Sequence, residues 1–448
     1  MKTNKGDGNI EVVKRELKNF KKAPFLKLHA LIYIAIVLGQ FVCGYTLGIA
    51  GTAFGNAQTQ LGFSDTWLGL LGAGALIGLA GSALMGKLAD QFGRKQMLMA
   101  NMYVFTVLSI LQFFSNSPLV LFILRIGLGL MMAIDYTVGN ALLIEWLPKE
   151  KGPQKQSNLL LYWALGFALS FLVGNVHVDW HWLLASSAIG SLLAAVFRSV
   201  IKIPASPAWL ASHGKPKRAQ KIVQRRLGPK WGLPKKWFHV KTAKEVSIKT
   251  LFSKQYWRQT ITGSAFYATQ AFAFFGVSIF LPVLLKSMGV TNAFLSGSMY
   301  NLALVGGCVI GLLVFNRVGR RPFLLVTFGI SAACLFIMAL IPNLAGNLLL
   351  VIFTVFSVTL SVSLLLDYTY TTELFDVKVR ATGVGFVIMM SRFGAAAGTF
   401  VLPVVISVAG PAVTMMLCGG VLLLGTGICF FLAPETNPQT SVVKGDSK

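Results

Sequence analysis

Gly86-Lys-Leu-Ala-Asp90-Gln-Phe-Gly93-Arg94-Lys95 is the stretch whose reading decides the fold. It closes a long apolar run with a turn-forming glycine and a charged cluster of Asp90, Arg94 and Lys95. About 225 residues later the same device returns, again at the end of an apolar run, as Asn316-Arg317-Val318-Gly319-Arg320-Arg321-Pro322. A motif that recurs at half the chain length implies a duplicated membrane domain.

Composition leads to the same class. Of 448 residues, 55% are hydrophobic and only 12% charged, with a mean hydropathy of +0.68. A soluble chain of that length needs far more charge to cover its surface. The formal net charge of +25 raises nucleic acid as a partner. However, the basic residues fall between apolar segments rather than along one face, so no nucleic acid is expected. Cys43, Cys308, Cys334, Cys418 and Cys429 all lie inside apolar runs with no Cys-x-x-Cys spacing, which argues against disulfides and structural zinc. The first apolar run begins near Leu28 and is too long for a cleaved signal peptide.

Six apolar segments at roughly 28–54, 66–87, 97–115, 118–146, 157–174 and 182–203 are followed by six more at roughly 259–285, 294–315, 323–342, 346–372, 381–406 and 411–432. Each is long enough to cross a bilayer of about 30 Å as a helix. The expectation is an all-α membrane protein with twelve transmembrane helices in two six-helix halves, 28–203 and 259–433. A basic tail (1–27), a polar linker (204–258) and a short carboxyl tail (434–448) complete the chain. Within the first tail Ile10, Val13, Leu17 and Phe20 have the spacing of an amphipathic helix on an anionic membrane face. Of forty Lys and Arg, the loops on one face hold only Lys286, and Arg125 and Arg392 fall within spans. The other thirty-seven count to the opposite face or the tails, which makes that face, and both termini, cytoplasmic in a multi-pass cell-membrane protein.

Small residues recur where helices must touch: Gly74, Gly78, Ser82 and Gly86 in the second span, Gly394 and Gly398 in the eleventh. Outside the spans, His177, Asp179 and His181 carry metal-ligand residue types. Their flanking Trp180 and Trp182 suit an interfacial belt instead, and no metal is expected.

The repeated Gly-x-x-x-Asp-x-x-Gly-Arg-Lys stretch resembles the loop between helices two and three of major facilitator superfamily transporters, with its echo between helices eight and nine. Pro204-Ala-Ser-Pro-Ala-Trp-Leu210 resembles the Pro-Glu-Ser-Pro-Arg-Trp-Leu signature of the sugar-porter branch and its metabolite-transporter relatives, with Ala205 and Ala208 at the charged positions. Pro434-Glu435-Thr436-Asn437 resembles that branch's Pro-Glu-Thr-Lys-Gly. The resemblance implies alternating access around a midplane cavity. It also implies a cytosolic gate of ion pairs drawn from Gly86, Asp90, Gly93, Arg94, Lys95 and Glu145 in one half. In the other half the gate is drawn from Gly319, Arg320, Arg321, Glu373 and Arg380. Asn316 stands where the second half should carry its acid.

Ionisable residues inside spans are expensive and so mark cargo and ion pathways. At about 1.5 Å per residue, Asp135 lies about 15 Å and Arg125 about 30 Å above Glu145 along the fourth span. Asp367 lies about 9 Å above Glu373, while Arg392 and Gln270 fall near the midplane. The segments around Asp135 (Ala133-Ile-Asp-Tyr-Thr) and Arg392 (Ser391-Arg-Phe-Gly394) resemble those of small-metabolite porters and their organic-ion relatives. Proton-coupled sugar porters pair the arginine matching Arg125 with an Asp in the first span, but here that stretch reads Cys43-Gly44-Tyr45-Thr46. Hexose is therefore the less expected cargo, and proton coupling must use Asp135 or Asp367.

The substrate and ion residues expected are Asp135, Arg392, Arg125, Asp367, Gln270 and Tyr45, with Tyr136, Tyr162, Trp163 and Tyr267 near the cavity. The function expected is secondary active transport of a small organic acid, with a proton as coupling ion. The chain is expected to act as a monomer in the bilayer with no cofactor. A sugar porter and a drug or metabolite exporter are the alternatives. An enzyme would need a nucleophile–base or metal cluster in the spans, and the sequence shows none.

Overall fold

The structure is a computed structural model that describes residues 17–176, 178–234, 247–288, 293–315, 317–341, 346–376 and 379–436. Among the described residues eight helices are long and apolar enough to cross a membrane, and two bent pairs, Asp65–Ala80 with Ser82–Phe92 and Trp257–Ile279 with Leu281–Ser287, supply one span each. Gly346–Ser363 continues into Leu366–Glu373 as another. Arg380–Leu432, 53 residues, breaks at Gly410, whose φ of 81° lies in the left-handed region, and Pro411 follows at once. It therefore makes two spans, and the total is twelve.

Local chemistry explains the boundaries. The first span, Lys27–Leu61, stops at Gly62 in a left-handed cap (φ 66°), a conformation glycine adopts without a Cβ clash. Ser64 then caps the second span by accepting from the Trp67 amide at 3.4 Å. The 71° bend in the seventh span falls at Phe280, just before Pro282, where proline cannot donate into the helix ladder.

Glycines set how closely the spans approach. A Cβ on Gly78 would sit 2.1 Å from the Ile126 carbonyl, and one on Gly129 2.0 Å from the Ala75 carbonyl, so spans two and four meet backbone to backbone. Gly394 and Gly398 meet Ala268 and Phe272 of span seven in the same way. Gly86 has no such neighbour, so the small-residue ridge ends a turn earlier than its four-residue spacing predicts.

The two halves also touch through glycines, at the end remote from the linker. Gly51 abuts Ile279, and Gly69 abuts Phe400. That end is sealed by close backbone packing.

Two peripheral expectations change. Phe20 does not lie on a lipid face: it is fully buried against Trp146, 6.1 Å between ring centroids. Lys18–Asn19 pairs in parallel with Trp231–Gly232 of the linker, so this part of the tail is strapped to the protein, while Ile10 and Val13 lie outside the described residues. Trp180 is likewise internal, its indole N–H donating to Gln60 at 2.9 Å, and Trp182 alone of the pair is exposed. His181 bonds Asp179 and, through Nε2, Asn116 at 2.8 Å. His177 lies outside the described residues.

Candidate functional site

A narrow cavity of about 40 Å³ lies between the halves. Span four contributes Tyr136 and span five Leu160 and Trp163. Span seven contributes Tyr267, Gln270, Ala271, Phe274 and Phe275, span ten Leu364 and Asp367, and span eleven Arg392. The tilt of Trp163 against Phe274 (centroids 5.9 Å) and its edge-to-face contact with Phe275 (6.1 Å) join the halves through an aromatic wall. That is well below the volume of ordinary small-molecule sites, so a larger cargo needs the cavity to widen.

The polar groups of this cavity converge. Arg392 is 9% exposed and Asp367 8%, and Arg392 and Tyr267 are the groups that interact with the Asp367 carboxylate. The Arg392 guanidinium also lies 5.4 Å from the centre of the Tyr136 ring, a cation–π contact across the two halves. Gln270 is fully buried and donates to the Ser363 hydroxyl at 2.6 Å. Among the described residues Gln270 Oε1, Asp367 Oδ1 and Trp163 Nε1 have no hydrogen-bond partner. They are three of nineteen such buried side-chain atoms among the described residues, and because they line this cavity they offer a ligand two acceptors and one donor.

Asp135 does not line this cavity. It is fully buried within the amino-terminal half and paired with Arg198 of span six, Nη2 to Oδ1 at 2.5 Å. Asn101 of span three donates to its other oxygen at 3.0 Å. Arg198 further donates to the carbonyls of Ala35 and Leu98 and to Asn101 Oδ1. Gly39 makes room for the pair, since a Cβ there would come within 2.3 Å of the guanidinium. Asp135 also opens a turn of π-helix, Asp135–Gly139, a rare irregularity inside a helix.

Counting charges by face places Arg198 with the cytoplasmic cations. The available signal is Lys202, one helical turn later, which caps the span with φ 50° and carries the surface charge. An arginine a full turn inside that cap belongs to the helix body.

Arg125 is fully buried as well. Its Nη1 donates to the carbonyl of Thr46 at 3.2 Å, the position where the resemblance places an acid. Its guanidinium lies 5.6 Å from the Phe54 ring centre. Nε and Nη2 have no partner among the described residues. Neither Arg125 nor Tyr45 lines the cavity: the Tyr45 hydroxyl is 2.6 Å from Ser186. Tyr162 instead packs edge-on to Tyr33, centroids 6.2 Å apart.

The charged loop residues form two related clusters, each within one half. Gly93 has φ 100°, so the turn requires glycine, and it sets Arg94 between Asp90 (Nε–Oδ1, 3.1 Å) and Glu145. Glu145 also accepts from Ser206, and the Trp209 indole donates to the Asp90 carbonyl at 2.9 Å. The linker signature is thereby docked on the loop. In the second half Arg320 meets Glu373 at 3.1 and 3.3 Å and covers the Phe315 ring at 3.8 Å.

Thr436 donates to Glu373 at 2.6 Å, and Glu435 accepts from the amides of Arg320 and Arg321. The tail signature thus caps the ninth span, whose N-terminus favours negative charge. Arg321 and Arg380 donate to the carbonyls of Phe430 and Phe375, so Glu373 is held by Arg320 rather than by Arg380 seven residues on. Lys95 has no side-chain partner among the described residues, and Asn316 lies outside them.

On the amino-terminal strap, Lys21 donates to the carbonyls of Ile144 and Leu147 at 2.5 and 3.2 Å, capping the end of span four that faces the linker. Burial lowers its pKa to about 8, with the Glu145 carboxylate pulling the other way.

Comparison with known proteins agrees with this architecture. The sequence profile described as sugar (and other) transporter matches residues 26–441. The inner membrane metabolite transport protein YgcS of Escherichia coli is 34% identical over 429 residues, covering 94% of this chain and 95% of that protein. The arabinose-proton symporter of Bacillus subtilis is 25% identical over 454 residues, covering 93% and 94%. Among solved structures, the partially occluded inward-open xylose transporter XylE of E. coli superposes with a TM-score of 0.77, covering 92% of this chain and 99% of that one. At 17% identity, this shows the shared fold. The chain therefore belongs to the sugar (and other) transporter family of the major facilitator superfamily, a multi-pass membrane transporter of small molecules and not an enzyme.

Proposed function

We propose that this transporter moves a small hydroxylated organic acid by alternating access, and that a proton is its coupling ion. The observation that carries the reading is that Arg392 and Asp367, which interact electrostatically, line one cavity that also presents uncommitted acceptors on Gln270 and Asp367. A guanidinium takes a carboxylate through two parallel hydrogen bonds, and the Trp163 N–H is a further donor. The acceptors suit hydroxyl groups, and the aromatic wall suits the C–H face of a compact cargo.

The charge arithmetic supplies the coupling. A cargo carboxylate and Asp367 compete for one guanidinium. A proton on Asp367 releases Arg392 to the cargo, so proton and carboxylate promote each other's binding, and by linkage the effect is reciprocal. Asp135, held by Arg198 away from the cavity, has no cargo to compete with.

A neutral sugar is the second reading. Gln270, the aromatic wall and the sugar specificity of the B. subtilis relative favour it. Uptake into proteoliposomes of a labelled aldonate against the matching neutral aldose, with and without a pH gradient, separates the two. Arg392→Lys should weaken aldonate uptake at least tenfold, and Asp367→Asn should abolish its dependence on the pH gradient while counterflow persists. Equal handling of acid and aldose by the wild type and by Arg392→Lys would refute the organic-acid reading.

A further inference from the structure

Between the Phe92–Gln96 turn and the linker helices Pro207–Ser212 and Pro216–Leu227 lies an open groove of about 810 Å³. Among the described residues its wall carries seven Lys and Arg side chains and no Asp or Glu. Arg94 is engaged by Asp90 and Glu145, and Arg226 donates to the Lys202 carbonyl at 2.7 Å. The other five, Lys95, Lys202, Lys215, Arg218 and Arg225, make no side-chain hydrogen bond or ion pair among the described residues.

A cationic cytosolic face is common to inner-membrane proteins, but that rule scatters charge over the loops. It does not gather five uncommitted cations on one concave wall. Two particulars sharpen the point. Ala205 lines this groove at the position where the linker signature of related porters has a glutamate, so a neutralising carboxylate is missing from the wall. Lys202 is the single non-glycine residue with positive φ among those described.

We propose that this groove binds a phosphate-bearing anion from the cytosolic side, separately from the cargo cavity. Multiply charged phosphate oxygens meet several Lys and Arg donors at once through charge-assisted hydrogen bonds. A concave wall of one sign also concentrates such an anion near it. The volume falls within the range of small-molecule sites and accommodates a nucleotide-sized ligand beside the Trp209 and Ile222 side chains. The phosphate has two sources, a soluble metabolite or a phospholipid headgroup, and the experiment separates them.

The full-length chain, purified in a neutral detergent, is titrated with pyrophosphate and with ATP. In parallel it is reconstituted in nanodiscs of phosphatidylcholine with or without phosphatidylglycerol, and retained lipid is counted by native mass spectrometry. Two variants are compared with wild type: Lys95→Gln/Arg218→Gln/Arg225→Gln, and Ala205→Glu, which restores an acid to the wall without removing a cation. Saturable one-to-one binding of either soluble probe, weakened at least tenfold by both variants and falling steeply with salt, establishes a soluble ligand. Selective retention of phosphatidylglycerol, lost in both variants, establishes the headgroup. If neither probe nor anionic lipid binds, or both variants bind as wild type does, the groove is only solvated surface charge and the proposal fails.

Discussion

Removing Arg198 alone should damage this protein more than removing Arg198 and Asp135 together. Both side chains are fully buried, and Arg198 makes five hydrogen bonds, one of them the 2.5 Å contact to the carboxylate. In Arg198→Met the Asp135 carboxylate keeps only Asn101 as a partner, and an uncompensated buried charge of this kind costs about 3–5 kcal/mol. Asp135→Asn strands the guanidinium instead. Its four bonds to Ala35, Leu98 and Asn101 remain, which places it toward the lower end of that range.

The double variant Asp135→Asn/Arg198→Met carries no buried charge, so it should melt above Arg198→Met alone, which requires a coupling energy larger than the Asp135→Asn loss, about 3 kcal/mol, relative to the sum of the singles. Tryptophan-fluorescence melting of the four proteins in one detergent reads the cycle, and counterflow reads the cavity. Because Asp135 lies outside the cavity, Asp135→Asn protein that folds should keep the wild-type KM and the wild-type pH-gradient dependence. Additive losses would show that the two residues are not an energetic unit. A raised KM in Asp135→Asn would show that the cavity extends to it.

At the charged loops, Glu145→Gln should slow transport more than Asp90→Asn. Glu145 joins Arg94 and Ser206 in a half-buried cluster, whereas the Asp90 side chain is 53% exposed and such a surface pair is worth about 0.2–1 kcal/mol. Initial uptake rates at matched membrane levels decide this, and the reverse order would contradict it. For Lys21, the docked pKa of about 8 lies below the ordinary 10.5, so the free tail binds more protons and docking strengthens as pH rises from 8 toward 10.5. Limited proteolysis of the tail should slow across that window, and Lys21→Met should already dock tightly at pH 7. Faster cleavage at high pH would reverse the sign. Reporters inserted at Gly214 and fused to Lys448 should both read as cytoplasmic, and an external signal from either would overturn the orientation inferred from the Lys and Arg distribution.

The span count, the duplication and the turn at Gly93 were legible in the sequence because each is a local or statistical property. Bilayer thickness demands long apolar runs, and a left-handed turn demands a glycine. Counting residues along one helix also gives a depth, which is why the sequence alone sets Arg392 and Gln270 near the midplane and Asp367 about 9 Å above Glu373. What counting cannot supply is azimuth and partnership. Asp135 and Arg392 lie at similar depth, yet one turns into its own half to meet Arg198 and the other into the cleft between halves. That choice depends on which neighbouring backbones approach. Gly39 clears space for the Asp135–Arg198 pair, Gly78 and Gly129 draw spans two and four together, and Gly394 and Gly398 set span eleven against span seven. An isolated charge in an apolar run announces that it must be compensated. Only the packing of helices far apart in the chain decides whether a neighbouring helix or the cargo does so.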